Sequence, residues 1–113
     1  MKNIQTVITK IESWYKDIPL FSISLNERER FSEIIKKETT YGEINLNEIF
    51  NTLSKLKLNK DMTFIDCGSG AGKIVFLAHY THFFKTCIGI EYIKPLIKIS
   101  KKILSEKKIS NIF

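Results

Sequence analysis

The sequence predicts an α/β chain organised around one parallel βαβ unit, and three observations carry that prediction. Two short apolar runs, Thr63 to Cys67 and Thr86 to Glu91, are bounded by turn residues and have the length of buried strands. Three glycines in five residues, Gly68-Ser69-Gly70-Ala71-Gly72, follow the first run directly and lead into a helical pattern. Apolar stripes at helical spacing fill most of the remaining sequence.

Ile4, Val7, Ile8, Ile11, Trp14, Tyr15 and Ile18 form the first stripe, which closes at Asp17-Ile18-Pro19 because proline cannot continue a helix. Ser24-Leu25-Asn26-Glu27 has capping-box form and predicts a second helix through about Lys37, with Phe31, Ile34 and Ile35 on its buried side. A turn is expected at Tyr41-Gly42. Asn45-Leu46-Asn47-Glu48 offers another box, followed by Leu46, Ile49, Phe50, Leu53 and Leu56 on one face; Asn59-Lys60-Asp61 breaks that helix. After the first strand, Ala71 to about Tyr80 reads as a helix and Thr86 to Glu91 as a second buried strand. Pro95 suits the first turn of a last helix, which carries Leu96, Ile97, Ile99, Ser100, Ile103 and Leu104 inward. Ile109 to Phe113 looks like the opening of a third strand. Residues 1–58 are expected to form a helical region and residues 59–113 the α/β part.

A chain of 113 residues bounds the answer to one domain. The net charge of +6 raises nucleic acid as a partner, yet 16 of the 18 basic residues are Lys and only Arg28 and Arg30 are Arg, the residue best shaped for phosphates and base edges. Lysines 94, 98, 101, 102, 107 and 108 crowd one segment with a single acid, Glu106, and no interleaved aromatics to stack bases. A solvated face is the simpler reading. Cys67 and Cys87 match neither a disulfide framework nor a zinc cluster and read as buried thiols of a reducing compartment. The amino terminus lacks a signal-like apolar core, and no run approaches a membrane span, so a cytoplasmic location is expected. His79 and His82 lie three apart on a predicted helix without a third ligand, so no metal is expected.

The glycine turn selects its ligand by exclusion. A phosphate-binding P-loop would need glycine where Cys67 stands and a hydroxyl where Ile74 stands. A dinucleotide fingerprint starting at Gly68 would need its third glycine at Lys73. What remains is Asp66-x-Gly68-x-Gly70-x-Gly72, an acid at the strand tip beside a turn stripped of side chains. A carboxylate there repels a pyrophosphate and can accept hydrogen bonds from an ammonium group. Glu91, ending the next strand, stands where an acid meets the two hydroxyls of a free ribose. The pair favours a nucleoside with a cationic, amino-acid-like tail.

Asp66-x-Gly68-x-Gly70-x-Gly72 with Glu91 resembles motif I and the following acid of class I S-adenosylmethionine-dependent methyltransferases. Upstream, Tyr41-Gly42-Glu43, a helix, and then Phe64-Ile65-Asp66-x-Gly68-Ser69-Gly70-x-Gly72 resemble the disruptor-of-telomeric-silencing family, the non-SET histone lysine methyltransferases, and its bacterial relatives. That resemblance implies a partial Rossmann-like class I methyltransferase fold, with N-terminal helices plus the first βαβ unit of a parallel sheet. It implies S-adenosylmethionine as cofactor, held by Tyr41, Glu43, Asp66, Gly68, Ser69, Gly70, Gly72, Glu91 and Tyr92, with residues 39–44 folding over it as a lid. Lys73 departs from the family's usual glutamine, and the family's later Asn-Asn-Phe-type segment, which lines its lysine channel, has no counterpart here.

Methyl transfer from a sulfonium is an in-line displacement with an activated leaving group, so alignment and desolvation suffice and no catalytic acid, base or covalent residue is assigned. The resemblance implies a protein lysine as methyl acceptor, with the chain an N-terminal or truncated form. Two alternatives stay open: a cofactor-binding or interaction module without turnover, and an RNA or small-molecule methyltransferase of the same fold.

Overall fold

The computed structural model describes residues 3–29, 42, 44–110 and 112–113. The elements follow as α1 (Ile4–Tyr15), α2 (Leu20–Arg28), α3 (Leu46–Lys55), β1 (Thr63–Cys67), α4 (Lys73–Thr81), β2 (Thr86–Ile90) and α5 (Lys94–Glu106). Helix, strand, turn, helix and strand thus appear in the expected order, and the chain has a partial α/β, Rossmann-like fold.

Local chemistry sets most boundaries. Asn3 Oδ1 accepts the Gln5 N–H at 2.8 Å to start α1, and Asn45 Oδ1 accepts those of Asn47 and Glu48 at 2.8 and 3.3 Å to start α3. The break after α3 is an Asx turn, in which Asn59 Oδ1 accepts the Asp61 N–H at 2.9 Å. Pro95 lies in the first turn of α5, where a missing N–H costs nothing.

One start was misplaced. Helix α2 begins at Leu20 behind Pro19, so Ser24 is a mid-helix residue, fully buried, and not a cap. Proline at the boundary sets the start, because it has no N–H with which to continue α1 and its ring crowds the preceding turn, while its carbonyl takes the Ile23 N–H at 3.0 Å. The remainder of that predicted helix, from residue 30, lies outside the described residues.

β1 and β2 are parallel neighbours in the register Thr63 with Thr86 through Cys67 with Ile90. The expected third strand is present as a single parallel bridge between Ile112 and Cys87, with the Phe113 N–H donating to the Cys87 carbonyl at 2.6 Å. A residue bridged to two strands has them on opposite edges, so the spatial order is β1, β2, residue 112.

Helix α4 packs against both strands, α1 and α3 pack on α4, and α2 packs on α5. This sandwiching explains why α4 is apolar nearly all round, with Val75, Phe76, Leu77 and Ala78 fully buried. One continuous core joins α1, α2 and α3 to the sheet. Trp14 meets the Phe76 ring edge-on at 5.5 Å, which ties α1 to α4.

The strands are not buried on both faces, as their apolar runs had suggested. Phe64, Asp66, Cys87 and Gly89 turn toward the helices, whereas Ile65 and Ile90 on the opposite face are 53% and 55% exposed. The period-two alternation of a strand puts these isoleucines on the face that no described helix covers. For the same reason Cys67 is exposed while Cys87 is buried.

Candidate functional site

Parallel pairing of Asp66 with Gly89 and of Cys67 with Ile90 brings the two strand tips level, so Asp66, the glycine turn and Glu91 share the carboxyl edge of the sheet. Gly68, Gly70 and Gly72 all have positive φ, at 87°, 58° and 96°. A Cβ on Gly68 or Gly70 would meet nothing within 4 Å, so both look onto open space into which a ligand can approach the main chain.

Gly72 is bare for another reason. A Cβ there would lie 2.7 Å from the Phe113 ring and 3.1 Å from Ser100 Cβ, so its missing side chain serves packing behind the turn. Ser69 also turns inward, with its Oγ 2.7 Å from where a Cβ of Gly89 would sit. Of the residues expected at the site, Gly72 and Ser69 therefore shape the turn through their main chain.

The turn's N–H groups are largely committed within the protein. Those of Gly68 and Ser69 donate to the Ile90 carbonyl at 2.7 and 2.9 Å, and that of Gly72 to the Ser69 carbonyl at 2.9 Å. The Gly70 N–H donates to Glu91 Oε1 at 2.7 Å, while Glu91 Oε2 accepts the Ile93 N–H at 2.8 Å. A strand-turn-helix layout commonly aims free N–H groups into the crevice at the carboxyl edge. Instead these four bond internally, which leaves a poor nest for a phosphate and agrees with the exclusion of P-loop and dinucleotide ligands.

Asp66 is the reverse case. Its Oδ2 is buried and has no hydrogen-bond partner among the described residues. Burial, and then the Glu91 charge, hold its carboxyl above the ordinary value of 3.8. An unpaired buried acceptor oxygen is costly, and an ammonium donor would relieve it. Each Glu91 oxygen accepts one N–H and keeps a lone pair, which suits hydroxyl donors such as a diol. Tyr92 stands beside it, 61% exposed. Tyr41 and Glu43, assigned to the lid, lie outside the described residues.

Sequence reasoning missed the support behind the turn. The Tyr15 hydroxyl donates to the Ala71 carbonyl at 2.7 Å in a buried setting, and Lys73 Nζ lies 3.2 Å from Glu12 Oε2 and 5.2 Å from the centre of the Tyr15 ring. The lysine at the family's glutamine position thus turns its ammonium toward α1. Tyr15 read only as one apolar position of a stripe, and nothing in the spacing pointed to residue 71.

Elsewhere, His79 and His82 close α4 with ring centres 6.3 Å apart, and burial, then the neighbouring His82, lowers the His79 value. Among the described residues no group of three or more His, Cys, Asp or Glu is placed to hold a metal. The six lysines from Lys94 to Lys108 are exposed.

The family described as Histone methylation protein DOT1 matches residues 19–112. Over 76 residues the chain is 36% identical to the mouse (Mus musculus) EEF1A lysine methyltransferase 2, covering 66% of this chain and 30% of that protein. Over 67 residues it is 39% identical to the Drosophila melanogaster histone-lysine N-methyltransferase, H3 lysine-79 specific, covering 59% of this chain and 3% of that protein. The chain therefore spans less than a third of the length of either relative. Its fold resembles the crystal structure of the YcgJ protein of Bacillus subtilis, with a TM-score of 0.52 at 18% identity over 60% of this chain and 28% of that one.

Proposed function

Because this chain belongs to the family of the histone methylation protein DOT1, we propose that it supplies the S-adenosylmethionine-binding portion of a protein lysine methyltransferase. The observation that carries the reading is the buried, unpartnered Asp66 Oδ2 beside a turn whose donors are already committed. Such a site rejects anions and asks for a cation.

Asp66 accepts hydrogen bonds from the ammonium of the cofactor's amino-acid end, and Glu91 accepts them from the ribose hydroxyls. Gly68 and Gly70 let the nucleoside approach the main chain, Ser69 and Gly72 hold the turn's shape, and Tyr92 flanks the ribose acid. Tyr41 and Glu43, in a lid spanning residues 39–44, exclude water from above. When bound, the cofactor supplies an activated methyl group. The protein's part is to align it and keep the site dry, with residues 1–58 supplying lid and support and residues 59–113 the binding edge.

A protein acceptor is favoured because both relatives are named as protein lysine methyltransferases. No helix among the described residues is long and apolar enough to cross a membrane, and we place the protein's action in the cytoplasm.

Calorimetric titration with S-adenosylmethionine tests the reading. Wild type takes up one equivalent, while Asp66→Asn and Glu91→Ala do not; equal binding by all three would refute it. Labelled methyl offered to histone-like peptides and to RNA then separates acceptors, and binding without transfer to either identifies a cofactor-binding module.

A further inference from the structure

We propose that Tyr15 and Glu12 of α1 are positioning residues that set the glycine turn in its ligand-ready shape from behind. The inference rests on the reading of that turn as the methyl-donor site and assigns the site a component outside the α/β unit. Helix α1 precedes residues 19–112, so nothing in the family match supplies this role.

Tyr15 is 3% exposed, and its hydroxyl reaches Ala71, 56 residues along the chain. In that dry setting the O–H has to find an acceptor, and the Ala71 carbonyl is the one it takes, at 2.7 Å. The same peptide unit carries the Gly72 N–H, which donates to the Ser69 carbonyl at 2.9 Å. The unit between residues 71 and 72 is thereby held from both sides. Its orientation governs the left-handed φ of 96° at Gly72, and the turn is bolted at Gly70 by Glu91.

Lys73, the first residue of α4, extends the same contact. Its ammonium pairs with Glu12 at 3.2 Å and lies over the Tyr15 ring, so α1 grips both the last peptide of the turn and the first residue of the helix. A turn held in advance need not be ordered by its ligand, and lower ordering cost appears as affinity. Phenylalanine would fill the same volume and keep a ring under Lys73 without the hydroxyl, so that substitution isolates the part carried by the oxygen.

The test uses the full chain as Tyr15→Phe and, as a packing control on the same helix, Ile11→Val, since Ile11 is fully buried. Tyr15→Phe is expected to bind S-adenosylmethionine about three- to tenfold more weakly, the scale of one hydrogen bond. It is also expected to speed hydrogen exchange at the Gly70 and Gly72 amides. Ile11→Val lowers the melting temperature but leaves both readouts unchanged. Glu12→Gln gives a smaller loss of affinity, and high salt erases the difference from wild type.

Wild-type affinity together with wild-type Gly70 and Gly72 exchange in Tyr15→Phe would overturn the proposal and reduce Tyr15 to core packing. Should wild type itself take up no S-adenosylmethionine, the donor-site reading fails. The exchange of Gly72 in Tyr15→Phe then still decides whether α1 shapes the turn.

Discussion

Glu91 accepts the Gly70 N–H at 2.7 Å, so the acid ending the second strand also fastens the turn that follows the first. Its other oxygen takes the Ile93 N–H at 2.8 Å, at the start of α5. Glu91→Gln retains the shape but offers one acceptor oxygen where two are used, and its amide would face an N–H. A loss of about 1–2 kcal/mol is expected in denaturant unfolding without any ligand. An acid that merely faced solvent would leave the midpoint essentially where it was.

Asp66 is held in a setting that opposes its own charge. Its carboxyl value is raised in the folded chain above the ordinary 3.8, so the folded state holds the proton more tightly than the unfolded one. The associated stability is complete below 3.8 and fades as pH rises through the raised folded value. At neutral pH Asp66→Asn should therefore stabilise the unliganded chain. The gain belongs at the low end of the about 0.5–2 kcal/mol range, because the carboxylate is only half-buried. Melting curves across pH check this, and the advantage should vanish in acid. Affinity for S-adenosylmethionine should move oppositely, rising with pH as Asp66 ionises.

Gly72 and Gly68 share positive φ but differ in what stands opposite. Gly72→Ala drives a Cβ to 2.7 Å from the Phe113 ring, adding overpacking to backbone strain, for a combined cost of about 2–4 kcal/mol. Gly68→Ala meets open space and should cost only the strain, about 1–2 kcal/mol, while narrowing the approach to the main chain. Chemical unfolding of the two variants side by side measures the difference. Equal losses would show that Phe113 yields freely.

The two thiols should separate cleanly. Burial pushes Cys87 up to about 11, whereas Cys67 is exposed at the tip of β1. A thiol reagent at neutral pH should label Cys67 alone, with Cys87 reacting only after unfolding. Peptide mapping of the labelled chain checks the assignment.

Much of this architecture was legible from residue order alone. The strand tips, the glycine turn and Glu91 announce themselves because each depends on local chemistry: a breaker, a positive φ, an acid after an apolar run. The start of α2 was not legible, since Ser24-Leu25-Asn26-Glu27 satisfies a capping pattern that Pro19 pre-empts. Nor was the uncovered face of the sheet, because an apolar run does not say which of its two sides finds a helix. The contact of Tyr15 with Ala71 is long-range and pairs a side chain with a carbonyl, and no local pattern encodes such a partner. Ser69 and Gly72 belong to the turn by sequence, but their inward-facing contacts with Gly89 and Phe113 come only from tertiary packing.

The Phe113 ring behind Gly72 has a consequence for biogenesis. During translation the turn emerges well before the residue that backs it, while Tyr15 has long been out. A nascent chain can thus assemble its helices and first strand early, yet the glycine turn gains its backing only once that late aromatic has docked. Chains stalled on the ribosome before that point would be folded in outline, with the turn still unsupported behind Gly72.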